Sequence, residues 1–157
     1  MSLLKGTNSY ATVVEGDTFF ADRIDVDAWV SATDPKKGQA LVTATSVLDN
    51  MTWTGVVLDV NQLLAFPRSG TYFDPRLGMD IELSVVPNRI VIATFELAYH
   101  LLNNSGLLDD KGQVRDLRLG DISLSNVRTS NKIPDSVKRL ITPLLQNAGC
   151  NLWWRIN

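Results

Sequence analysis

Gln62-Leu63-Leu64-Ala65-Phe66-Pro67-Arg68-Ser69-Gly70 is the stretch that no single helix or strand period explains. Pro67 fixes its own φ and disfavours the α region for Phe66, so the short apolar run Leu63 to Phe66 must end there. Arg68, Ser69 and Gly70 then turn the chain. A buried apolar run that stops at a proline makes a rigid corner, and Phe66, Pro67, Arg68 and Gly70 are its candidate residues. Arg68 has five donors on a planar fork, which suits it to gather backbone carbonyls or a carboxylate at the chain reversal.

Around this corner the chain reads as mainly α. Thr12-Val13-Val14-Glu15 fits a capping box and starts a helix to about Arg23, which Gly16 weakens by about 1 kcal/mol relative to alanine. Asp27 is a candidate cap for a short segment holding Trp29, expected at the edge of the core. Asp34-Pro35 opens a helix to about Asn50, with Ala40, Leu41, Ala44, Val47, Leu48 and Met51 as its buried stripe. Gly70 to Val86 reads as loop, with Asp74-Pro75 and Gly78 as turn signals. Asp74, Asp80 and Glu82 lack the spacing of a calcium loop, so no metal site is expected. Pro87 opens a central helix through Asn104, with Glu96 and His100 four apart on one side. Ile133-Pro134-Asp135 starts a last helix that Pro143 interrupts.

Leu117-Arg118-Leu119-Gly120-Asp121-Ile122-Ser123-Leu124 alternates around a Gly-first turn and predicts a hairpin near 114–127. Leu119 then faces Ile122 and Leu117 faces Leu124, an apolar face that wants a partner because an isolated hairpin is marginal in water. After Gly149, Trp153, Trp154, Arg155 and Ile156 form an apolar, arginine-bearing tail, chemistry typical of docking anchors. The expected architecture is a small bundle of about four helices with one hairpin over residues 1–148, and an extended docking tail over 149–157.

Composition narrows the function. With 157 residues, 45% hydrophobic, and no apolar run of membrane-spanning length, the chain reads as one globular domain made in cytoplasm. Cys150 and His100 are the only residues of their types, so no disulfide, metal cluster or catalytic motif is legible, and no cofactor or enzymatic activity is expected. A net charge of −2 with pI near 5.3 argues against a nucleic-acid coat, while leaving room for a local basic patch.

Asn8-Ser9-Tyr10, Phe20-Ala21-Asp22-Arg23, Ala44-Thr45, Leu48-Asp49, Trp53-Thr54-Gly55, Leu64 to Gly70, Val86-Pro87, Glu96-Leu97-Ala98 and Pro143-Leu144-Leu145 together resemble the phage family labelled DnaT-like single-stranded DNA-binding protein. The resemblance runs from about Asn8 to Leu145 and leaves out the tail beyond Ala148. Its most specific part is the Leu-Ala-Trp/Phe-Pro-Arg-x-Gly corner, with Phe66 at the aromatic position. Members resemble the head-tail adaptors of tailed phages. That likeness implies a head-tail connector in the virion: a ring beneath the portal, contacting neighbouring copies of itself and tail or nozzle proteins. Packaged DNA would pass its lumen without sequence-specific binding, and no membrane is involved. The label itself implies the alternative, a replication protein that binds single-stranded DNA. The scattered tryptophans and acidic balance favour the connector, with the hairpin leucines as subunit contacts and Trp153 to Ile156 docking to the portal.

Overall fold

The structure is a computed structural model, and it describes residues 2–104, 116–119, 122–125 and 133–146. Helix α1 spans Val13–Ala21, α2 Asp27–Val30, α3 Asp34–Asp49, α4 Asn88–Asn103 and α5 Asp135–Ile141, the last running into a 3₁₀ turn at Thr142–Leu144. Strands β1 (Val56–Val57), β2 (Arg68–Ser69), β3 (Thr71–Asp74), β4 (Met79–Glu82), β5 (Asp116–Leu119) and β6 (Ile122–Ser125) form three antiparallel pairs, β1-β2, β3-β4 and β5-β6. The protein is therefore mixed α/β rather than a helical bundle with one hairpin.

The difference lies between Gly70 and Val86, where a hairpin replaces the expected loop. Thr71, Tyr72 and Phe73 are strand-favouring residues, and alternate residues of β3, Tyr72 and Asp74, are buried. The turn residues only close the hairpin. Gly78, at φ +67°, donates its N–H to the Asp74 carbonyl at 2.8 Å. Arg68 N–H donates to the Leu83 carbonyl at 2.9 Å and Leu83 N–H to Gly70 at 3.0 Å, so the 68–74 segment pairs with β1 on one side and the β4 strand on the other.

The helices follow the sequence closely. Thr12 Oγ1 accepts from Glu15 N–H at 3.2 Å and Glu15 Oε2 accepts from Thr12 N–H at 2.8 Å, completing the capping box. At α3 the cap position is Thr33, with Asp34 the first helical residue and no side-chain cap bond. At α2 Val26 holds that position, and Asp27 makes no cap bond either. Ala40, Leu41, Ala44 and Leu48 of α3 are buried with Ile90, Ala93, Leu97 and Ala98 of α4, and α3 and α4 make the main helix-helix contact. The small alanines at that contact permit close approach. Helix α5 packs on α4 through Val137 and Ile141. Pro143 sits in the 3₁₀ turn, where the α-helix has already stopped.

Trp29 is fully buried rather than at the edge of the core, and it explains Gly16. A Cβ on Gly16 would lie 2.6 Å from the Trp29 ring, inside any normal contact, so the glycine lets the indole lie against α1. The indole N–H donates to Asp17 at 2.9 Å, and Lys37 Nζ reaches the same carboxylate at 2.7 Å. Phe19, Phe20, Phe95 and Trp29 complete an aromatic cluster, with Phe19 stacked on Phe95 at 4.8 Å between centroids.

Asp74 on β3 and Arg89 on α4 form a buried bidentate pair, at 2.8 Å to Nη2 and 3.2 Å to Nε. The hydrogen bonds from Arg89 hold the Asp74 carboxyl well below the usual carboxylate range, while burial opposes them. Tyr72 Oη and the Arg76 backbone N–H also donate to this carboxylate. The pair ties the hairpin to the start of the central helix.

Two outcomes follow from these contacts. Gly16→Ala should destabilise the protein by about 1–3 kcal/mol in chemical denaturation, against alanine's better helix propensity, because the Trp29 contact is overpacked. The Asp74 contribution, with a folded-state pKa below that of a free aspartate, is complete above about pH 4 and is lost as pH falls from there toward the lower folded value. Denaturation midpoints measured at neutral pH and across that acid window should fall for the native protein, and Asp74→Asn should lower the neutral value while flattening the acid decline.

Candidate nucleic-acid interface

The corner that opens the sequence is built by side chains from three separate segments. Asp49, the last residue of α3, accepts hydrogen bonds from the Tyr10 hydroxyl and from Ala65 N–H at 3.3 Å, and the same hydroxyl accepts from Phe66 N–H at 3.2 Å. Burial, followed by the hydrogen bond to Asp49, pushes the Tyr10 hydroxyl far above its usual range, so it stays protonated. Burial also raises Asp49, opposed by the Tyr10 and Ala65 hydrogen bonds. The Phe66 ring stands edge-on to Trp53 at 5.2 Å and to Tyr10 at 6.2 Å, and the Phe66–Pro67 peptide is cis.

Arg68 turns inward. Its Nε donates to the Thr54 carbonyl at 2.8 Å, Nη1 to Ala65 at 3.1 Å, and Nη2 to Gly55 at 2.6 Å and Trp53 at 3.4 Å. Four carbonyls from two chain segments thus share one guanidinium. Gly55 is equally constrained: at φ +76°, an added Cβ would lie 1.9 Å from the Ser69 carbonyl oxygen. Gly70, at φ +107°, takes the chain out of the corner in a conformation that favours glycine.

A guanidinium spent on internal carbonyls is not offered to phosphate, and several other cations of the body are ion-paired, although Lys36 and the Arg76 side chain face solvent. Arg89 is tied to Asp74, Arg23 to Glu96 and Lys5 to Glu15. Glu96 therefore has Arg23 as its ion-pair partner, where the sequence suggested His100. Neither of two surface grooves among the described residues supplies a cationic track. One of about 600 Å³ lies between Leu3, Val13 and the first turns of α3, with Asp34 as its charged residue. Another, of about 450 Å³, has Asp22, Asp25 and Glu96 beside Arg23. Among the described residues no acidic, His or Cys cluster forms a metal site, and no helix is long and apolar enough to cross a membrane.

Two adjacent exposed cations lie further along the chain, on α5. Arg139 projects from the outer side of α5 with no ion-pair partner among the described residues, next to Lys138, which reaches only its helix neighbour Asp135 at 3.2 Å. The β5-β6 register places Leu117 opposite Leu124, Arg118 opposite Ser123 and Leu119 opposite Ile122, as the turn chemistry implies. The side chains of that hairpin, and the tail residues Trp153, Trp154, Arg155 and Ile156, lie outside the described residues. Charge along the sequence supplies the signal that net charge concealed. Residues 1–104 hold seven Lys and Arg against twelve Asp and Glu, whereas residues 105–157 hold eight against five.

A family model described as "Putative DnaT-like ssDNA binding protein" matches residues 2–156. The chain belongs to this family. No curated protein and no solved structure gives a significant match. The match extends through the tail, which the sequence resemblance had left outside it. It also overturns the head-tail connector expectation, because the family's description names single-stranded DNA binding, the alternative stated beside the connector. The ring beneath the portal, and the portal and tail partners, fall with it. That expectation rested on a likeness to adaptors and on scattered tryptophans, with the acidic balance beside them, and the balance was an average: an acidic body and a basic C-terminal third sum to −2, which hid the basic segment.

Arg68→Lys keeps the charge but loses the planar fork, and three ammonium donors leave at least one of the four carbonyls without a partner. Thermal unfolding should show a loss of about 1–3 kcal/mol, and an unchanged midpoint would contradict the anchoring role.

Proposed function

We propose that this DnaT-like family member is a non-catalytic single-stranded DNA-binding protein, and that its acidic mixed α/β body carries a basic strand-binding segment in the C-terminal third. The observation that carries this reading is the family match over residues 2–156. The charge segregation supports the location: Lys111, Arg115, Arg118, Arg128, Lys132, Lys138 and Arg139 fall within 29 residues that hold only three acids. Arg139 and Lys138 stand on a helix whose other side is anchored in the core by Val137 and Ile141, so these two cations are presented on a rigid support.

Binding of this kind follows the backbone charge and is strongly salt-dependent, with the logarithm of affinity falling by about 0.7 per neutralised phosphate for each unit of log salt. It requires no reacting group. Titration of a fluorescent oligonucleotide over a salt series should show steep salt dependence and little preference among sequences. Lys138→Ala combined with Arg139→Ala should weaken binding uniformly and reduce the slope by about 1.4 if both side chains meet phosphates. Salt-insensitive or absent binding by the unmodified protein would overturn the reading.

A further inference from the structure

Immediately after the Arg68 acceptors the chain runs Val56-Val57-Leu58-Asp59-Val60-Asn61-Gln62-Leu63, and its apolar side chains face solvent. Val56 is 65% exposed, Val60 89% and Leu63 72%, with Leu58 also exposed. Isolated exposed apolar residues are ordinary, but several within eight consecutive residues form a patch of the kind that is normally covered. The segment carries Asp59 and no cation, so a nucleic-acid backbone does not suit it.

The described chain ends beside this patch. Gln146 N–H donates to the Thr52 carbonyl at 3.0 Å, Thr54 N–H donates to Leu144 at 3.0 Å, and Trp53 and Leu145 form an isolated antiparallel bridge. The last described residues therefore sit beside Thr52 to Thr54, a few residues before Val56. Residues 147–157 follow, and they contain Leu152, Trp153, Trp154 and Ile156. Eleven residues reach about 36 Å when extended, Val60 is at most about 29 Å from Thr52 along the chain, and Leu63 lies two residues from Ala65, whose carbonyl shares the Arg68 guanidinium with that of Gly55, so the tether is long enough for the patch. A short tether also gives its own apolar residues an effective concentration near the millimolar range at the patch, an advantage over any free partner.

We propose that residues 152–156 dock in cis on the apolar face of residues 56–63, with the Trp153 and Trp154 side chains covering Val56, Leu58, Val60 and Leu63. The face is then a closing surface for the protein's own tail. This inference does not rest on DNA binding, since it concerns an acid-bearing face of the body and uses none of the cations of residues 111–139.

The test uses the full-length chain. A nitroxide is placed on Asn157→Cys in a Cys150→Ser background, Cys150 being the only native cysteine, and methyl resonances are followed by NMR. Docking should broaden Val56, Leu58, Val60 and Leu63 several-fold more than Val14 and Ile24, exposed methyls on and just after α1. The double variant Val60→Lys and Leu63→Lys changes only exposed side chains and should abolish the excess broadening. Equal broadening at all exposed methyls would overturn the proposal, as would excess broadening that survives the double variant. Broadening seen only when spin-labelled chains are mixed with separate isotope-labelled chains would overturn it in favour of a second copy.

Discussion

One guanidinium fixes the geometry on which the rest of the fold depends. Arg68 collects carbonyls from Trp53, Thr54, Gly55 and Ala65, so the end of the α3 connection and the start of the hairpin region are held at a single separation. The Trp53, Thr54 and Ala65 carbonyls meet Arg68 in part-buried surroundings, where a shielded acceptor without a donor costs about 1–3 kcal/mol. The same few residues receive the returning chain at Leu144 to Gln146. Segments more than 75 residues apart in sequence therefore converge at Thr52 to Gly55, and the corner is a long-range closure as well as a turn.

Buried charge in the body follows the same logic. Asp74 with Arg89 is a buried ion pair whose carboxylate also accepts from Tyr72 and Arg76, and the buried Lys37 pairs with the half-exposed Asp17, which also accepts from the Trp29 indole. Among the described residues no buried side-chain polar atom lacks a partner. Such pairs add little net stability against an apolar replacement, but removing one member leaves an uncompensated charge, so they specify one arrangement of hairpin on helix. They also use up cations internally. The body holds an excess of acids, whereas the C-terminal third carries the excess of cations on which the proposed strand binding relies.

On the proposed reading the body acts as a support. Its core holds α5 against α4, and α5 carries Lys138 and Arg139 on the opposite side. Electrostatic binding to a polyanion needs local charge density within roughly one Debye length, about 8 Å at physiological ionic strength, and is indifferent to the sum over a whole domain. A net charge of −2 is therefore a poor guide to partners when the two signs are segregated along the chain.

Local chemistry was enough to place the helices. Capping at Thr12 and prolines at Pro35, Pro87 and Pro134 set their starts, and Pro143 ended the last α-helix, because these residues act on their nearest backbone neighbours. The β5-β6 register was legible for the same reason, since a two-residue turn dictates which residues face each other. The β3-β4 hairpin was not, because its turn residues are also loop residues and its strands gain stability from the Asp74–Arg89 pair and from Leu83, contacts made across the fold. Gly16 read locally as a weak point of α1, and only the approach of Trp29 shows why it lacks a side chain. The sequence marked Arg68 as a many-acceptor anchor from its chemistry. Which carbonyls it gathers was set by tertiary structure, since they belong partly to a segment thirteen to fifteen residues away whose direction no local rule specifies.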